Sequence, residues 1–170
     1  MYEERPRIFL VLQLFDKWVE ALALNGCIWL WLFCIRAYTI LPDIIPTHFN
    51  FKGVADGYGS RSSLFVLPVI ASCIYVLITG LNKYPHMFNY MVTITEKNAE
   101  TQYRLATRLL RVMKLMVIIV FAIVIIMIAT SAKDAGISRW LSTTLPIVSV
   151  LFIVPTIRYF YNTVRANRIR

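Results

Sequence analysis

The sequence predicts an all-α integral membrane protein with four transmembrane helices and an ordered outer loop between spans 1 and 2. Three observations lead there. Hydrophobic residues make up 58% of the 170 and charged residues 16%, with a mean hydropathy of +0.63, which leaves too little polar surface to cover a water-soluble globule. Four nearly uncharged runs each reach the roughly 20 helical residues that cross a hydrocarbon core about 30 Å thick. The Lys and Arg residues cluster in alternate connections between those runs.

Residues 1–20 read as an amphipathic lead-in. Ile8 to Phe15 are apolar but too few to span, and with Trp18 and Val19 they suit a helical segment lying at the cytoplasmic interface. The first span runs from Ala21 to about Leu41. It begins after Glu3, Glu4, Asp16 and Glu20, with no small-residue cleavage pattern behind it, so it is expected to be retained rather than removed as a signal peptide. Arg36 interrupts it, and its side chain either snorkels outward or forms a buried pair with Asp43 or Asp56. The second span, Ser62 to Asn82, carries no charge. Together with the loop at 42–61 these two spans form one unit, residues 21–82.

The connection at 83–112 is basic and expected to be helical. Thr93 and Glu96 match a capping box, with Thr93 as N-cap, and the helix then continues through Gln102, Leu105, Leu109 and Val112 into the third span. Arg104, Arg108, Arg111 and Lys114 recur at three- and four-residue spacing, which puts them on one face, directed at lipid phosphates or a cytoplasmic partner. Spans three and four, within 113–160, lie between Lys114 and Lys133 and between Arg139 and Arg158. The fourth opens with Trp140 and closes near Tyr159 and Tyr161, as aromatic rings at a membrane boundary do. A basic tail, 161–170, follows.

Putting both termini inside assigns three basic residues to the N-terminal segment, six to the 83–114 connection, four to the tail from Arg158, and five to the outer side. Thirteen against five satisfies the positive-inside rule. It also accounts for the net charge of +9, whose expected partner is a bilayer with anionic head groups; no nucleic-acid-binding motif accompanies the charge.

The outer loop holds Pro42 and Pro46, which remove backbone donors, and Gly53, Gly57 and Gly59, which permit tight turns. It reads as neither strand nor helix. Ile44, Ile45, Phe49, Phe51, Val54 and Tyr58 make it apolar enough to fold down over the helix ends as a cap.

Within this loop Pro46-Thr47-His48-Phe49-Asn50, then Gly53, Asp56-Gly57 and Gly59-Ser60, resemble the signature of an uncharacterised bacterial membrane-protein family related to the SdpI-type immunity proteins against a sporulation-delaying toxin. The resemblance covers about residues 30 to 82 and extends more weakly through Lys83-Tyr84-Pro85-His86, Phe88-Asn89-Tyr90, Ile94-Thr95 and Asn98 to Arg111. Arg61 stands where lysine is more usual in that family, which keeps the charge and changes the contact geometry. The resemblance implies a multi-pass protein of the bacterial cell membrane that meets an extracellular membrane-active peptide. It also implies that a cytoplasmic repressor can be held at the membrane.

His48, Asn50 and Asp56 offer nitrogen and oxygen ligands for a metal, with His48 and Asp56 the candidates; the alternative is that these side chains and Ser60 tie the loop together through turns. Cys27, Cys34 and Cys73 all fall in spans without CxxC spacing and read as small buried hydrophobes. No HExxH pair, positioned nucleophile or phosphate-binding loop occurs, so neither catalysis nor a cofactor is expected. Immunity to or sensing of a membrane-active peptide is the expected function. An oligomeric transporter component or small-molecule-binding channel is the alternative, and a metal-dependent membrane enzyme the third.

Overall fold

Among the described residues three helical stretches are long and apolar enough to cross a membrane: α1 (Leu14–Ile40), the 3₁₀ turn Arg61–Phe65 running on into α2 (Val66–Leu81), and α3 (Ala99–Ser131). The structure, a computed structural model, describes residues 5–50, 54–132, 147, 150 and 152–168. Between α1 and α2 lie strands β1 (Ile44–Phe49) and β2 (Ala55–Ser60), and a last helix, α4, covers Ile153–Arg168.

The helices pack along a stripe of α1 formed by Val19, Ala23, Cys27, Leu30, Cys34, Ala37 and Leu41, all buried. Their three- and four-residue spacing puts them on one face, and most are small. Between lipid-embedded helices close packing, rather than water exclusion, drives association, so small residues that bring backbones together carry the contact. Gly26 marks the tightest point: a Cβ there would stand 2.7 Å from Ile118 Cγ2 of α3. Leu30, Ala71, Ile118 and Ile125 fill the centre. Outward, Leu22, Ile28, Leu32 and Ile35 of α1 and Val69, Val76 and Leu77 of α2 are exposed, an apolar surface suited to lipid rather than water. Cys27 and Cys34 are buried as expected, whereas Cys73 faces out from α2.

Most of the expected fourth span lies outside the described residues. Its end is the start of α4, which runs antiparallel to α3: Val154 and Pro155 share a groove with Val112 and Met116, while Gln102 Nε2 donates to Thr163 O at 3.2 Å and Asn98 Nδ2 to Asn167 Oδ1 at 3.3 Å.

Three expectations of secondary structure are corrected. Residues 5–13 are not helical. Pro6 lacks an amide, and the segment spends its carbonyls on α3 instead: Tyr103 Oη donates to Pro6 O (3.1 Å) and Arg104 to Val11 O (3.0 Å). Arg5 extends this strap to Phe88 O at 2.6 Å. The second correction concerns the start of α3, at Ala99 rather than after Thr93. The amide of Thr95 donates to Asn98 Oδ1 (2.8 Å) and Asn98 Nδ2 to Thr93 O (2.9 Å), closing a turn where the Thr93–Glu96 box would have opened a helix. The third is the loop after α1, read as neither strand nor helix in an all-α chain: it is an antiparallel β-hairpin.

Candidate functional site

The hairpin grows out of the end of α1. Leu41 caps that helix, its amide donating to Ala37 O at 2.9 Å. Ile45 of β1 is fully buried beside Leu41 and Leu64, and Phe49 packs onto the same cluster. Arg61 clamps the base. Its amide donates to Asp43 O (2.9 Å), and its guanidinium reaches Asp43 Oδ1 (3.1 Å) and Leu41 O (3.2 Å) while lying over the Tyr38 ring at 4.6 Å. Planar, multi-donor contact of this kind suits arginine better than lysine. Of the two readings of Arg36, the buried pair with Asp43 is not formed: Arg36 is exposed on α1, and Asp43 meets Arg61.

Above the base, Pro46 pairs with Tyr58, His48 with Gly57 and Phe49 with Ala55, with the register shifting around His48. A Cβ on Gly57 would stand 2.8 Å from His48 Cβ, so this close strand approach requires glycine. His48 Nδ1 and Asp56 Oδ1 are hydrogen-bonded across the strands, with the side chains 71% and 43% exposed. Asn50 closes the turn from both sides: its amide donates to Val54 O (2.9 Å) and its Oδ1 accepts from the Val54 amide (3.1 Å). Ser60 Oγ accepts from the Ser62 amide at 3.3 Å, capping the 3₁₀ turn. Gly53 lies outside the described residues. Of the loop residues singled out in the sequence, the structure therefore joins His48 to Asp56 and uses Asn50 and Ser60 as turn ties. Among the described residues no group of three or more His, Cys, Asp or Glu side chains forms a metal cluster.

The opposite end of the bundle holds the second concentration of polar chemistry. Of the stripe Arg104, Arg108, Arg111 and Lys114, expected to face lipid phosphates or a partner, the last three turn toward α1. Arg108 makes a two-point contact with Asp16, Nε to Oδ1 at 2.9 Å and Nη2 to Oδ2 at 3.1 Å, and also reaches Gln13. Lys114, 0% exposed, places Nζ 2.6 Å from Glu20 Oε2, 2.8 Å from Thr79 Oγ1 and 4.2 Å from the Tyr75 ring centre. Arg111 Nε lies 3.2 Å from Glu20 Oε1 without the alignment of a hydrogen bond. Arg104 pairs with Glu100 at 2.8 Å.

Asp16 and Glu20 stand four residues apart on α1 and so share a face, which meets the basic face of α3. The physical reason for the inward turn is that buried charges must be paired. Sequence reasoning passed over Asp16, Glu20, Thr79 and Asn82 as functional residues. The available signal was a carboxylate pair at helical spacing immediately before an apolar run. In the connection nearby, burial, with Tyr159 and Tyr103 next, pushes the Tyr90 phenol up, and its neutral hydroxyl donates to Pro85 O at 2.8 Å.

Residues 26–71 match the model of a domain of unknown function, DUF1648. That stretch starts at Gly26, ends at Ala71 in α2, and contains the whole hairpin. An uncharacterized protein of Archaeoglobus fulgidus is 41% identical over 68 residues, which cover 35% of this chain and 37% of that protein; the likeness thus spans just over a third of the relative's length. No solved structure matches the chain.

Proposed function

We propose that this chain is a membrane-embedded, SdpI-like protein that senses or confers immunity to a membrane-active peptide, and that its hairpin, on the outer face of the cell membrane, is the binding element. One observation carries the reading. The hairpin is anchored by buried Ile45 and by the Arg61 clamp, yet it presents the exposed His48–Asp56 pair together with exposed Ile44, Val54 and Tyr58. A two-stranded sheet has an outer edge on each strand, so an extended peptide can add as a further strand, with alternate side chains giving selectivity. No catalytic step belongs to this reading.

Four crossings with both termini inside agree with the antiparallel run of α4 along α3 and with the concentration of Lys and Arg at the end opposite the hairpin. The test is survival of sensitive cells that express the chain, intact or as His48→Ala, against secreted membrane-active peptides. Protection by the intact chain that disappears in His48→Ala, with membrane insertion unchanged, is the expected outcome. Failure of the intact chain to protect against any peptide overturns the reading.

An oligomeric transporter component or small-molecule-binding channel is the second reading. The buried Lys114–Glu20 pair between three helices favours it, since ionisable groups inside a bundle commonly mark solute or ion paths. Solute flux from vesicles containing the purified chain tests it.

A further inference from the structure

Beside the charge network, the strap at residues 8–12, the end of α2 and the start of the following connection border a partly open cavity of about 440 Å³. That volume falls within the roughly 300–1,000 Å³ of small-molecule sites. Its apolar lining includes Ile8, Leu10 and Leu12, and its polar lining Glu20, Asn82, Lys83 and Arg111.

One group of the polar lining is unsatisfied and a second is only loosely met. Both side-chain atoms of Asn82, Nδ2 and Oδ1, are buried without a hydrogen-bond partner, and Nε of Arg111, a residue only 7% exposed, has Glu20 Oε1 at 3.2 Å but no aligned hydrogen bond. Buried polar atoms in folded proteins are nearly always paired, and each unpaired one costs free energy. The charge is unbalanced as well. Glu20 is drawn to Lys114 at 2.6 Å and only loosely meets Arg111 at 3.2 Å, while the neighbouring carboxylate of Asp16 is occupied by Arg108. Arg111 and Lys83 therefore line the cavity with positive charge that no carboxylate there fully answers.

We infer that this cavity is a binding site for an anionic phosphate ester bearing at least one hydroxyl. The phosphate meets Arg111 and Lys83, charge-assisted contacts that are the strong class of hydrogen bond. A hydroxyl donates to Asn82 Oδ1 while Asn82 Nδ2 donates to an ester or phosphate oxygen, which uses both halves of the amide. Apolar substituents lie against Ile8, Leu10 and Leu12. A phospholipid head group and a soluble phosphate ester share this chemistry. The site is at the end opposite the hairpin and does not depend on the peptide-binding reading.

The experiment is calorimetric titration of the full chain in a neutral maltoside detergent with three probes: glycerol 3-phosphate, dihexanoyl phosphatidylglycerol and dihexanoyl phosphatidylcholine. Saturable binding of glycerol 3-phosphate identifies a soluble ester as the ligand class. Saturable binding of phosphatidylglycerol alone identifies a lipid head group. In either case Asn82→Leu weakens binding by about tenfold or more. Arg111→Gln does the same but also removes one of the two cations at Glu20, so Asn82→Leu, whose replaced side chain holds no bond within the protein, is the decisive variant, with an unchanged melting profile as its folding control. Absence of saturable binding by both anions, equal binding of phosphatidylcholine, or wild-type affinity in Asn82→Leu overturns the inference.

Discussion

Glu20 Oε2 and Lys114 Nζ stand 2.6 Å apart with the lysine fully shielded from solvent. The ammonium also reaches Thr79 and the Tyr75 ring on α2, so one cation from α3 is held by α1 and α2 at once. The bundle is thereby tied at the end where its helices carry the most charge, and the partners of Lys114 fix the rotation of each helix about its own axis.

Removing one member of that pair should cost far more than removing both. Lys114→Met leaves Glu20 with Arg111 alone, and Glu20→Leu leaves a buried ammonium; loss of one partner of a buried pair costs about 3–5 kcal/mol. The double variant Glu20→Leu, Lys114→Met should recover a substantial part of the loss. Thermal denaturation in detergent measures all three. Equal melting temperatures for the wild type and both single variants would show that the pair does not hold the helices.

Gly26 and Gly80 should answer oppositely to alanine. At Gly26 the new methyl would stand 2.7 Å from Ile118 Cγ2 and force α1 from α3, a loss of about 1–3 kcal/mol as for other overpacked sites. Gly80 has nothing within 4 Å and lies inside α2, where alanine is the better helix former, so Gly80→Ala should be neutral or stabilising by about 0.5–1 kcal/mol. Paired melting curves decide it.

Arg61→Lys keeps the charge and should still loosen the hairpin. A lysine can hold Asp43 but cannot also reach Leu41 O at 3.2 Å and stack on Tyr38 at 4.6 Å as the guanidinium does. Protease cleavage between β1 and β2 should accelerate several-fold while the helices melt as before. An unchanged cleavage rate would place the anchor of the hairpin in the apolar contacts of Ile45 and Phe49.

The orientation is open to a direct check. Single cysteines at Tyr58 and Lys97, in a background lacking Cys27, Cys34 and Cys73, should react with a membrane-impermeant reagent from opposite sides: Tyr58→Cys in intact cells, Lys97→Cys only after permeabilisation. The reverse pattern would invert the assignment of the hairpin to the outer face.

Much of the spanning architecture was legible because lipid imposes a simple demand. Every helix in hydrocarbon must be long and apolar, and α1, α2 and α3 advertise themselves by that criterion alone. The hairpin was half legible. Its apolar residues announced that it would fold onto the helix ends, and Ile45 does. Its strands were hidden because two prolines and three glycines in the loop argue against extended pairing, whereas here Gly57 is the residue that lets the strands close on His48. Arg61 likewise read as a family variation until its four contacts around Asp43, Leu41 and Tyr38 came together.

Sequence by itself determined that this protein has apolar helices of membrane-crossing length, a folded segment between the first two, and a basic stripe on one face of the third. Helical periodicity puts Arg104, Arg108, Arg111 and Lys114 in a row whatever surrounds them. Only the tertiary structure decided that Arg108, Arg111 and Lys114 turn inward, because their direction depends on Asp16 and Glu20, some ninety positions away along the chain and on another helix. A cation at a helix surface can be solvated by water, by phosphates or by a carboxylate of the same protein, and local sequence does not distinguish these environments. The choice is made by which helix packs against it, here through small residues such as Gly26 that bring α1 close enough for the carboxylates to displace the other two.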